Sequence, residues 1–140
     1  MVSRGTWSPV RNRDEWMGRR DAGRAHLKTT RDALIVADAR DDTRLIVQGA
    51  ILLAIAYGDA VTIKLAGIRN GKDHQRLPDT LRQALGNRAS QPELTRLQRL
   101  LKRKDDSAYG HRALALDEAR TAVAQAEAFA LWAESELGRG

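Results

Sequence analysis

The chain has 140 residues, with 24 Lys and Arg against 18 Asp and Glu, a formal net charge of +6, and 42% hydrophobic residues. That length fits one domain, and the apolar fraction is too high for a wholly disordered chain. Cysteine is absent, which excludes a disulfide scaffold, a thiolate metal site and a cysteine nucleophile; the three histidines (His26, His74, His111) match no common zinc spacing.

Residues 1–13, with Arg4, Arg11, Arg13 and a lone Trp7, read as a flexible basic arm ahead of a single helical domain over 14–138. No apolar run follows the first charges, so no secretory signal is predicted and a cytoplasmic location is the expectation. A first helix follows. Trp16, Gly23, Leu27, Thr30, Leu34 and Ala37 recur at helical spacing, and Arg19, Arg20, Arg24, Lys28 and Arg31 form its solvated face. It should end near Asp38–Asp42, with Asp41 or Asp42 capping the next helix.

The second helix is predicted over Leu45–Ile68. Its longest uncharged stretch, Leu45–Gly58, falls short of the ~20 apolar residues of a membrane span, so a buried central helix is expected. Within it Asp59 needs a partner, either Lys64 or a basic residue of another helix; Tyr57 and Asp59 together could instead line a pocket. The polar connection Arg69–His74 leads to a short helix over about Leu77–Leu85 and another over about Pro92–Lys104, each with Pro in its first turn. A last helix runs over about Ala113–Leu137, with Gly138 ending it. Period-two alternation is absent and no strand is predicted. The expected fold class is all-α, an up-and-down bundle of four main helices plus a short one.

Charge is uneven along this order. Residues 69–112 carry 11 basic and 5 acidic side chains, whereas 113–140 carry 2 and 5. Arg96, Arg99, Lys102, Arg103 and Lys104 crowd the fourth main segment, a pattern that suits polyanions or simply a solvated surface. In the turn after the second helix, Arg69, the polar Asn70 and His74 supply a guanidinium for a phosphate and an imidazole for proton transfer, the minimum set for metal-free RNA cleavage. The alternative is a loop histidine facing water. Lys102–His111 could likewise be a helix-end charge cluster. No phosphate loop, Ser–His–Asp order or metal cluster is present, which disfavours an ATPase, a serine hydrolase or a zinc enzyme.

Three segments, AIAYGDAVTIKLAGI with its turn to His74, RLLKRKDDSAYGHRAL, and DEARTAVAQAEAFALWAESEL, resemble the HEPN superfamily of small all-α domains over about residues 14–138. That resemblance implies a protein that binds or cleaves RNA, often as a toxin paired with a nucleotidyltransferase-type antitoxin, often as a homodimer, with no metal or cofactor. At the late position where the family's ribonucleases usually carry Arg and His, alignment on Tyr109 puts Lys102 and Ser107. Arg69 and His74 are therefore the expected catalytic pair of a metal-independent endoribonuclease. Arg99, Lys102, Arg103, Lys104, Tyr109 and His111 are the expected RNA contacts. The rival expectation is a non-catalytic module that dimerises or binds a protein or nucleotide.

Overall fold

A computed structural model describes residues 7–104 and 114–139. Among them the chain is all-α apart from one short strand pair: β1 (Trp7–Pro9), α1 (Glu15–Val36), α2 (Arg44–Ala66), β2 (Ile68–Asn70), α3 (Leu77–Leu85), α4 (Gln91–Lys102) and α5 (Leu116–Arg139). Single 3-10 turns, His74–Arg76 and Gly86–Arg88, precede α3 and α4.

Helix α2 is the centre of the core. Val47, Ala50, Leu53, Ala54, Tyr57, Ala60 and Val61 are buried on it, against Leu77 and Leu81 of α3, Leu94, Leu97 and Leu101 of α4, and Val123, Ala126, Phe129 and Ala133 of α5. Its length and composition would suit a bilayer, but most of that surface is covered by the other helices. The helix α1 crosses α2 closely because small residues stand at the contact. A Cβ on Gly23 would lie 2.8 Å from the Tyr57 ring, and one on Gly49 would lie 2.3 Å from Thr30 Oγ1. Between α1 and α5 run two ion pairs, Arg31–Glu127 and Arg24–Glu134, so the two helices are antiparallel. Thr43 Oγ1 donates to Leu114 O at one end of α2, and Lys64 Nζ donates to Leu137 O at the other, so α2 and α5 run parallel.

Asp42 does serve the start of α2, accepting the Arg44 N–H at 3.2 Å. The far end differs from expectation. Gly67 adopts φ 64°, in the left-handed region, and its N–H returns to Ile63 O, which stops the helix two residues early. Ile68–Asn70 then pairs antiparallel with Trp7–Pro9, Trp7 opposite Asn70 and Pro9 opposite Ile68. The expectation of no strand is therefore corrected, since a three-residue strand is too short to show alternation, and within the expected arm residues 7–9 are tied to the domain by this pairing. The last helix also continues through Gly138, which the apolar period had placed just outside it.

Candidate functional site

The turn that carries His74 is built by side chains already singled out for chemistry. Asn70 is buried, its Oδ1 accepts from Thr80 Oγ1 at 2.6 Å, and its Nδ2 donates to the carbonyls of Gly71 and Asp73. Asn70 thus shapes the turn and is not presented to a substrate. Asp73 caps the 3-10 turn by accepting the Gln75 N–H at 3.0 Å. Gln75 Nε2 donates to Leu101 O at 2.8 Å, which fastens the turn to the C-terminal end of α4.

That fastening brings Lys104 Nζ to 3.3 Å from His74 Nδ1. An ammonium only donates, so Nδ1 accepts and the ring proton of the neutral imidazole resides on Nε2. Partial burial lowers the His74 pKa most, and the charges of Lys104 and then Arg19 lower it further against the opposing Asp73. His74 is consequently held neutral to a lower pH than a free histidine, as a donor through Nε2.

Arg69 has a different partner. Its guanidinium is paired with Glu15 in the first turn of α1. Arg19, one turn further along the same face of α1, acts on His74 and bonds Asp59 Oδ2 at 3.2 Å. The Arg69 charge is therefore matched by a carboxylate, and the cations that act on the imidazole are Lys104 and Arg19. Asp59 finds its partner in Arg19 rather than Lys64, whose ammonium lies 4.4 Å from the Trp16 ring centroid and donates to Leu137 O. Removal from water outweighs the Arg19 charge and pushes the Asp59 carboxyl up to about 6. Sequence periodicity had placed Arg19 on a solvated face; the need of Asp59 for a partner was the signal that could have found it.

Of the expected RNA contacts, Arg99 and Lys102 are exposed on α4, and Arg103 and Lys104 are half-buried at its end. Tyr109 and His111 lie outside the described residues. Among the described residues Arg99, Lys102 and Arg103 have no carboxylate partner, whereas Arg96 bonds Glu93 at 2.7 Å. A shallow cleft of about 470 Å³ along this face is lined by Gln91, Pro92, Thr95, Arg96 and Arg99.

The cations of α1 are neutralised instead. Arg24 holds Glu134 through two bonds of 2.7 and 2.8 Å, Arg31 holds Glu127, and Lys28 holds Asp32. Tyr57 donates to the same Glu134 carboxylate at 2.7 Å. Tyr57 does line a cleft, of about 510 Å³, with Arg24, Leu27, Lys28, Arg31, Asp32 and Glu134; Asp59 is not part of it. Burial and the carboxylate push the Tyr57 phenol up to about 12, so it donates throughout the neutral range. Among the described residues no group of three or more His, Asp or Glu is placed to hold a metal ion. Comparison with protein-family models, with curated proteins and with solved structures finds no match.

Proposed function

We propose that this protein binds RNA through the cationic side of α4 and the His74 turn. The observation that carries the reading is the approach of Lys104 to His74 at the end of a helix whose Arg99, Lys102 and Arg103 lack carboxylate partners among the described residues. Contacts of this kind recognise phosphates without reading sequence, and each one releases counterions. In its neutral form His74 donates from Nε2 to a phosphate oxygen, and Arg19 and Lys104 add charge beside it. Binding should weaken steeply with added salt; retention of the same affinity across a salt series would refute phosphate contacts.

Metal-independent cleavage is the further step of this proposal. It needs Lys104 to leave Nδ1 so that the imidazole can take a proton from a ribose hydroxyl. His74→Ala then abolishes cleavage, and unchanged cleavage removes this site. The HEPN-like bundle, the toxin–antitoxin or defence setting, the cytoplasmic location and a nucleotidyltransferase-type antitoxin carry over from the resemblance. An adjacent gene for such an antitoxin tests that setting.

A second reading, a non-catalytic module that dimerises or binds a protein partner, is favoured by Ile35, Val36 and Leu45. These are 79%, 81% and 79% exposed around the α1–α2 junction. A homodimer that persists in wild type and dissociates in Leu45→Glu supports that role.

A further inference from the structure

Asp59 stands on α2 with its side chain 18% exposed, and Arg19, 41% exposed, leans over it from α1. Their bond is one N–H of the guanidinium to one carboxylate oxygen. The charge that acts on Asp59 is that of Arg19 from α1; Arg19 acts in turn on His74, together with Asp73 of the same turn and Lys104 at the end of α4. On α2 the nearest other charge, Lys64, is turned to Leu137 O. Among the described residues Arg19 is therefore the cation shared between a sheltered carboxylate and the histidine turn.

We propose that Asp59 controls the phosphate site: ionised, it holds Arg19 inward, and on taking up a proton it releases the guanidinium to a phosphate bound at His74 and Lys104. This inference rests on the RNA-binding reading and names how that site is regulated. The separation of charge makes the device work. A neutral Asp59 removes the only carboxylate that Arg19 bonds among the described residues, and the freed cation then adds a charge-assisted contact beside His74, on which its charge already acts. Burial holds the Asp59 carboxyl at about 6, so the transition falls just below neutral pH.

The test measures binding of a fluorescein-labelled oligouridylate at low salt between about pH 7.5 and about pH 5, across the Asp59 transition. His74→Gln serves as the background, which removes imidazole titration. In that background affinity should rise about tenfold on acidification, the scale of one charge-assisted contact. Adding Asp59→Asn should flatten the curve at the high-affinity level. Adding Arg19→Gln should flatten it at the low level, while Arg19→Lys keeps part of the rise. An unaltered pH curve after Asp59→Asn overturns the inference. If Arg99→Ala and Lys102→Ala weaken binding at the same time, the RNA reading stands without it. Absence of oligouridylate binding at every pH and in every variant overturns both. Side-chain NMR of Arg19 through the same pH range reports its release without RNA; an Arg19 signal that does not follow Asp59 protonation also refutes the device.

Discussion

Replacing Asp59 by Asn should make the protein more stable at neutral pH, against the usual cost of removing a salt bridge. The carboxyl rises from its ordinary 3.8 to about 6 because burial opposes the charge more than Arg19 supports it. At 1.36 kcal/mol per tenfold change in proton affinity, this sets about 3 kcal/mol against the ionised form. The folded state holds the proton after the unfolded chain has released it. The favourable contribution of Asp59 is thus complete below 3.8 and is lost as pH rises through about 6. Asn lacks that loss and leaves an arginine that is 41% exposed and can hydrate. Urea unfolding at fixed ionic strength should show no gain below about pH 4, a gain growing through the Asp59 range, and a plateau of about 1–3 kcal/mol above it. A variant less stable than wild type at pH 7 by the same margin at every pH would refute the reasoning.

Glu134 should behave oppositely. Its hydrogen bonds from Arg24 lower its pKa first and foremost, with Tyr57 adding to this, so its contribution is present above the ordinary 4.5 and fades as pH falls. Glu134→Gln is expected to destabilise at neutral pH by about 1 kcal/mol, with the gap narrowing in acid, as urea unfolding across pH would register. Gly23→Ala should lower the thermal midpoint although it improves helix propensity, because the new methyl meets the Tyr57 ring at 2.8 Å. The expected cost is about 1–3 kcal/mol, and an unchanged or raised midpoint would contradict the close crossing. Arg99→Ala with Lys102→Ala should reduce the slope of log affinity for RNA against log salt by about 2, one per phosphate contact, as a fluorescence salt titration would show. An unchanged slope would move the RNA face away from α4.

Much of the helical plan was legible in the chain itself. The apolar stripe Leu94, Leu97, Leu100 and Leu101, the Pro residues at Pro78 and Pro92, and the uncharged run into Gly58 mark helices through local periodicity and capping chemistry. The strand pair was not legible, because Ile68–Asn70 becomes a strand only when Trp7–Pro9 lies beside it. Nor was the fate of individual charges. Arg19, Arg24 and Arg31 look alike along α1, yet one meets a half-buried carboxylate of α2 while two are matched by α5. Arg69 and His74 are five positions apart, but their partners come from α1 and from the end of α4.

Sequence alone determined which segments coil and which side chains must leave water, because helix periodicity and burial are set by neighbours within a few residues. Tertiary structure alone decided which cations are neutralised and which are left to face a polyanion. Coulombic pairing acts over a few ångströms between helices far apart in the chain, and its strength depends on how much water each pair retains.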